Sequence, residues 1–121
     1  MQNFAEAVLQ LREWERSHFP KEAWRVSSEV IIAIAAFHLA NKPLSIKGLQ
    51  GLLPYSPRSI KTAIDQLLDD GWCELSFAIP DRRVKSIRGT PKLFTLLDMY
   101  EVKFKLIASS AKKICDEKNS K

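Results

Sequence analysis

The sequence predicts a mainly α-helical fold with one small β-hairpin. Two observations support this fold class: apolar residues recur at helical spacing over most of the chain, whereas residues 72–77 and 84–88 alternate as strands do. The chain has 121 residues, of which 45% are apolar and 27% are charged, and these values suit one soluble domain with its own core. We therefore expect a single domain over residues 1–121.

The first helix is predicted over residues 3–17. Asn3 can cap it, because Glu6 follows three residues later in the capping-box position. Phe19 and Pro20 then end the helix. The predicted apolar stripe of this helix comprises Phe4, Ala7, Val8, Leu11 and Trp14.

The second helix is predicted from about residue 29 to residue 40, with Ser27 or Ser28 as its cap and residues 24–26 as a short connection. This segment is apolar on nearly every side, which is typical of a helix at the centre of a domain. It contains His38, which we interpret as a histidine at the edge of the core.

Two shorter helices are predicted after the break at residues 41–43. Ser45 caps the first of them, residues 46–53, and Ser56 caps the second. Pro57 fits the first position of the second helix, where a missing N–H costs nothing. The predicted buried residues are Ile46, Leu49, Leu52 and Leu53 in the first helix, and Ile60, Ala63, Ile64, Leu67 and Leu68 in the second. The opposite face of the second helix is polar: Arg58, Ser59, Lys61, Thr62, Asp65 and Gln66.

The two alternating segments are predicted to pair as a hairpin with its tip at residues 79–83. The next break is at residues 89–91, and Pro91 is expected to open a long helix that reaches about residue 113. The predicted apolar face of this last helix comprises Leu93, Leu96, Leu97, Tyr100, Phe104 and Ile107.

This order of elements is that of a winged helix-turn-helix with flanking N- and C-terminal helices. The two short helices are joined by a turn at residues 54–56, and the hairpin after them is the wing. The major groove of DNA, about 12 Å wide, admits one helix, whose N-terminal residues read the bases. We therefore expect residues 29–92 to form a core that binds double-stranded DNA, with the helix after Ser56 in the major groove.

Basic residues are concentrated in the hairpin. The net charge is +5, and between residues 78 and 92 five basic residues stand against Asp81 alone. A hairpin beside an occupied major groove can place arginine on the backbone or in the minor groove. The predicted DNA-binding residues are Ser56, Arg58, Ser59, Lys61, Thr62, Arg82, Arg83 and Lys85.

Motifs between residues 44 and 92 resemble the winged helix of MarR-type regulators. The run from Asp81 through Arg83 is similar to that family's wing signature of Asp, any residue, Arg, and Thr90 and Lys92 fall on its usual junction after the wing. The resemblance implies a transcriptional regulator that binds a near-palindromic operator as a homodimer. It also implies that residues 3–17 and 93–116 supply the dimer contacts. A small-molecule effector is left unassigned.

The remaining residues speak against other classes of protein. Two histidines, no glycine-rich phosphate loop and no Cys/His cluster leave no candidate catalytic site, so we expect no enzyme activity, no cofactor and no metal. The longest apolar run, residues 30–39, is interrupted by His38 and is far short of the roughly 20 residues that span a bilayer. The N-terminus lacks the basic region of a secretory signal, so a cytoplasmic location without membrane contact is expected.

One alternative function stays open. A winged helix can also serve as a protein-interaction or assembly module, such as a replication or phage-type accessory factor, because a fold does not determine a function. The basic hairpin favours DNA over this alternative.

Overall fold

The computed structural model describes residues 3–20, 23–77 and 85–119. In these ranges five helices and one hairpin follow one another in the predicted order, so the predicted fold class is confirmed. The elements are α1 (Phe4–His18), α2 (Trp24–Leu39), α3 (Ile46–Leu52), α4 (Pro57–Asp69), β1 (Cys73–Phe77), β2 (Lys85–Gly89) and α5 (Pro91–Asn119).

Helix α2 lies at the centre of the fold, as its apolar sequence predicted. It packs against α1, α4, α5 and β2. Its side chains Val30, Ile31 and Ile34 are fully buried, and one hydrophobic core joins them to residues from the other elements. The fully buried partners outside α2 include Leu49, Ile60, Ile64, Leu67 and Leu93.

The predicted start of α2 is wrong. The helix begins at Trp24, one turn before the expected position, and the Ser27 N–H donates to the carbonyl of Ala23 at 2.9 Å. Ser28 is buried inside the helix, and its hydroxyl donates to the carbonyl of Arg25 at 3.0 Å. The true cap, Ala23, has no side-chain oxygen, so the sequence carries no capping signal at that position.

The hairpin is antiparallel and pairs Leu75 with Ile87. The Ile87 N–H donates to the carbonyl of Leu44 at 2.8 Å, which attaches the predicted extended segment at Leu44 to the free edge of β2. Strand β2 includes Gly89, which the sequence predicted as a break. Residue 84 and the predicted tip at residues 79–83 lie outside the described residues.

Helices α1 and α5 meet through aromatic rings and a buried carboxylate. Tyr100 lies against Trp14 and Phe19, with ring centroids 5.1 and 5.3 Å away. The Tyr100 hydroxyl donates to Glu15, whose side chain is only 2% exposed, and Arg12 forms an ion pair with the same carboxylate at 3.0 Å. Burial raises the pKa of Tyr100, and the hydrogen bond to Glu15 raises it further.

Three apolar residues that the sequence placed in buried stripes are exposed. Phe4 is 76% exposed and Phe104 is 53% exposed, and both line an apolar groove between α1 and α5. Leu52, the last residue of α3, is 52% exposed. None of the helices in the described part of the chain combines the length and the hydropathy that crossing a bilayer requires.

Candidate nucleic-acid interface

Helix α4 has the capped start that the sequence predicted. The Ser56 hydroxyl accepts from the Ser59 N–H at 3.1 Å and lies 2.8 Å from the Ser59 hydroxyl, and Pro57 occupies the first turn. One orphan N–H of the helix is therefore satisfied by the cap, and the proline removes another. The remaining free N–H groups and the helix dipole make this end attractive to a phosphate.

The two faces of α4 are sharply divided. Ile60, Ala63, Ile64 and Leu67 are buried in the core, as predicted. The opposite face is exposed and carries the five predicted DNA-binding residues of this region: Ser56, Arg58, Ser59, Lys61 and Thr62. The structure therefore brings these five side chains together on one and a half turns of a helix that the core holds in place.

The helix before α4 and the turn between them fix its position. Ser45 caps α3 by accepting from the Gly48 N–H at 2.9 Å. From α3, the Gln50 amide donates to the carbonyl of Pro57 at 3.1 Å, so α3 holds the first turn of α4 directly. In the turn, a hydrogen bond to Glu29 of α2 raises the pKa of Tyr55.

Charge on the exposed face of α4 changes sign along the helix. Arg58 makes no ion pair with any residue that the structure describes, so its guanidinium is available to a partner. Lys61, one turn further on, pairs with Asp65 at 2.5 Å, and both side chains are about half exposed. Asp69 and Asp70 end the helix. The basic side chain of this face that has no acidic partner among the described residues therefore lies in the first turn, the part of a recognition helix that contacts bases.

A groove of about 320 Å³ borders the same face. Arg58, Ser59 and Thr62 line it from α4, and Ala23 and Val26 line it from the start of α2. Lys61 does not line it. The exposed face of α4 therefore has a concave side towards α2, and Lys61 with Asp65 lies away from that side.

The wing residues differ in how far the structure describes them. Arg82 and Arg83 lie outside the described residues, as does Asp81. The backbone of Lys85 lies in β2, opposite Phe77 at the open end of the hairpin. The hairpin register therefore describes the backbone of Lys85 and, of the predicted wing residues, no other.

The root of the hairpin is anchored by residues that sequence reasoning did not single out as anchors. The Thr90 hydroxyl donates to the carbonyls of Gly71 and Trp72, at 2.6 and 3.0 Å. The Lys92 ammonium donates to the carbonyl of Asp70 at 2.7 Å and lies 4.3 Å from the Trp72 ring centroid. These bonds join α4, the hairpin and α5 at one point.

Sequence reasoning also missed Gln50 and the role of Asp65. The signal for Asp65 was visible, because a lysine and an aspartate four residues apart on a helix form an ion pair. Gln50 carried no such signal, because its partner is a backbone carbonyl seven residues away in the next helix.

Neither metal chemistry nor thiol chemistry is suggested by the described residues. No group of three or more His, Cys, Asp or Glu side chains in those ranges could hold a metal ion. Cys73 is 3% exposed, and burial raises the pKa of its thiol to about 11, with a smaller effect from Glu74. The thiol therefore stays protonated at neutral pH and is unreactive.

A capped helix with a polar exposed face, placed after a short helix and before a hairpin, defines a winged helix-turn-helix protein. No family model and no curated protein matches the sequence. Solved structures do match, and they support this fold.

A mutant form of S. aureus MepR superposes with a TM-score of 0.72 at 12% identity, covering 90% of this chain and 76% of MepR. The multiple antibiotic resistance repressor MarR gives a TM-score of 0.61 at 15% identity, covering 93% of this chain and 75% of MarR. A mutant form of Lactococcus lactis ZitR gives 0.61 at 15% identity, covering 77% of this chain and 60% of ZitR. The fold is therefore that of the MarR-type winged-helix regulators, as the sequence motifs predicted.

Proposed function

We propose that this chain is a transcriptional regulator of the MarR type that binds double-stranded DNA as a homodimer. The observation that carries the proposal is the exposed first half of α4, where Arg58, Ser59 and Thr62 border a groove and the guanidinium of Arg58 has no acidic partner among the described residues. In this assignment residues 29–92 are the DNA-binding core. Ser56, Arg58, Ser59, Lys61 and Thr62 contact bases or flanking phosphates in the major groove.

The wing supplies the second contact in this proposal. Arg82, Arg83 and Lys85 lie on the DNA backbone or in the adjacent minor groove. Support comes from the hairpin, whose root is bonded to α4 and α5, so that its open end has a defined direction relative to the recognition helix. The protein acts in the cytoplasm, and its effector, if it has one, is left unassigned.

The dimer is formed by α1 and α5, the helices that flank the core. Support comes from a stripe on α5, where Met99, Val102 and Leu106 are 49%, 60% and 62% exposed at helical spacing. An apolar groove of about 110 Å³ between Phe4 and Phe104 lies at the outer end of the same pair of helices. Apolar surfaces of this kind mark interaction sites, and a second copy of the chain would cover them.

Salt-titrated binding to duplex DNA tests the function. The wild-type protein should bind a random duplex at low salt, with an affinity that falls as salt rises. Arg58→Ala should weaken binding and reduce the slope of log K against log salt by about one, because one phosphate or base contact is lost. The matched control is Lys105→Ala, the same change of charge on α5, which should leave the slope unchanged.

Two outcomes would contradict the proposal. Absence of binding at micromolar protein and low salt would favour the protein-interaction module instead. Equal effects of Arg58→Ala and Lys105→Ala would show that the protein binds DNA through its general charge and not through α4. If binding is found, selection of sites from random DNA would give the operator, and the half-site spacing would report the dimer.

A further inference from the structure

A cavity of about 160 Å³ lies between the C-terminal end of α2 and the hairpin, and no residue of α4 lines it. Its polar lining comprises His38, Asn41, Lys42, Ser76, Ser86 and Arg88. Among the residues that the structure describes, no Asp or Glu lines the cavity. It is therefore rich in hydrogen-bond donors and positive charge, at a place separate from the proposed recognition helix.

The hydrogen bonds of His38 determine which of its nitrogens carries the proton. Nδ1 lies 3.1 Å from the backbone nitrogen of Gly89 and accepts from that N–H. A neutral imidazole has one acceptor and one donor nitrogen, so Nε2 carries the hydrogen. The Phe94 ring packs edge-on against His38 with centroids 4.8 Å apart, which holds the orientation of the ring.

Gly89 contributes to this arrangement through its size. A Cβ atom at that position would lie 2.9 Å from the Phe94 ring, closer than real Cβ contacts allow. Only glycine therefore lets β2 approach α5 closely enough for its N–H to reach His38 without displacing Phe94.

With the hydrogen of His38 on Nε2, the contact between His38 and Arg88 brings two hydrogen-bond donors together. Nη2 of Arg88 lies 3.3 Å from Nε2 of His38, and a guanidinium can only donate. Since Nε2 also carries a hydrogen, neither atom can accept from the other. Two N–H groups that meet in this way are both satisfied by one shared acceptor, such as an oxygen of an anion.

The other lining groups suit the same acceptor. The Ser76 and Ser86 hydroxyls face each other across the strands at 2.8 Å, so one donates to the other and the second keeps its hydrogen free. Arg88 and Lys42 have no ion pair with any acidic side chain in the described ranges. The carbonyls of Ala36, Phe37 and His38 at the end of α2 already accept backbone N–H groups, which reduces their repulsion of an anion.

We propose that this cavity binds an oxyanion such as phosphate. Arg88 and Nε2 of His38 share one of its oxygens, the serine pair donates to a second, and Lys42 neutralises charge at the rim. The oxyanion is either a free anion or a phosphate of bound DNA, and the chemistry of recognition is the same for both. The site needs no DNA to form, so its test is independent of the proposed function.

The test is a titration of the isotope-labelled protein with inorganic phosphate, followed by amide NMR at constant ionic strength with chloride as the reference salt. The Gly89 amide and the Arg88 side chain should shift and saturate with phosphate but not with chloride. Arg88→Gln should weaken this binding roughly tenfold or more, because it removes a charge-assisted bond. Arg16→Gln, the same change at an exposed arginine of α1, is the matched control and should bind phosphate as the wild type does.

Non-saturating shifts, or equal saturation in Arg88→Gln and the wild type, would overturn the site. Lys42→Gln provides a second variant at the exposed rim, where no packing is disturbed, and should weaken phosphate binding by a smaller factor. A binding experiment with duplex DNA then distinguishes a free anion from a phosphate of bound DNA. A salt slope that falls by about one in Arg88→Gln identifies a DNA phosphate, and an unchanged slope with intact phosphate binding by the wild type identifies a free anion.

Discussion

Helices α4 and α5 arrange polar and apolar side chains in opposite ways. Helix α4 buries only apolar residues and presents charged and hydroxyl groups to solvent. Helix α5 buries Leu93 and Leu96 but also directs the Tyr100 hydroxyl to the buried Glu15, while its outward stripe is apolar. An outer surface of hydrogen-bonding groups suits a hydrated polyanion, and an apolar outer surface suits a second protein surface.

The two helices also differ in the interactions that hold them in the fold and in the surfaces that remain for binding. The apolar inner face holds α4 in the core without using a side chain of its outer face. Helix α5 depends on a polar network for part of its attachment to α1, and such a network constrains position more than an apolar contact does, because a misplaced buried carboxylate would lose its partners. Four substitutions test this comparison, starting with the outer face of α5.

Val102→Asp should have the largest effect, on the oligomeric state. In a symmetric dimer the change places two unpaired carboxylates in one apolar interface, so the dissociation constant should rise by roughly tenfold or more. Sedimentation velocity over a range of concentrations measures it. Leu39→Asp makes the same kind of change at another exposed site, at the end of α2, and should leave the dimer intact. A dimer that Val102→Asp does not weaken would exclude the α5 stripe from the interface.

Ile64→Ala tests the inner face of α4. The side chain is fully buried, and deleting three carbons from such a site costs about 2–5 kcal/mol of unfolding free energy. Urea unfolding measures the loss, and Ile32→Ala, at an isoleucine of α2 that is 45% exposed, should cost clearly less. Equal losses at the two sites would show that α4 is not held by its apolar stripe.

Tyr100→Phe tests the inner face of α5. It removes one hydroxyl and leaves the Glu15 carboxylate without that donor in a site that water does not reach, at a cost of about 1–3 kcal/mol. Tyr55→Phe makes the same change at a partly exposed tyrosine in the turn before α4, so it should destabilise less. If Tyr100→Phe unfolds at the wild-type urea concentration, the network contributes no net stability.

The two helices also differ in how much the sequence could predict of them. The start, the buried stripe and the exposed face of α4 followed from local signals, namely a serine cap, a proline at the first turn and helical spacing. The end of α5 and the exposure of Phe104 did not, because spacing identifies an apolar face but not which of its residues another element covers; Ile107, one turn beyond Phe104, is buried. The early start of α2 was missed because Ala23 caps it without a side-chain oxygen.

The candidate binding residues also differ in how far the sequence could predict their positions. The shared exposed face of the α4 residues could be predicted because a capped amphipathic helix is a local pattern. The cavity beside the hairpin could not, because His38, Ser76 and Arg88 are brought together only by the packing of α2 against β2. The roles of Gln50 and Lys92 likewise depend on carbonyl groups in other elements.

Asp65→Asn should have the smallest effect and completes the comparison on the outer face of α4. The Asp65 carboxylate binds the Lys61 ammonium at 2.5 Å, and on a helix in the major groove it would also face phosphates. Neutralising it frees Lys61 and removes a repulsion, so affinity for a random duplex at low salt should rise about threefold, with a steeper dependence on salt. Asp98→Asn on α5, the same change of charge, should leave both quantities unchanged. If Asp65→Asn instead lowers affinity only for the selected operator, the carboxylate reads a cytosine amino group, since that is the base edge that a carboxylate accepts from.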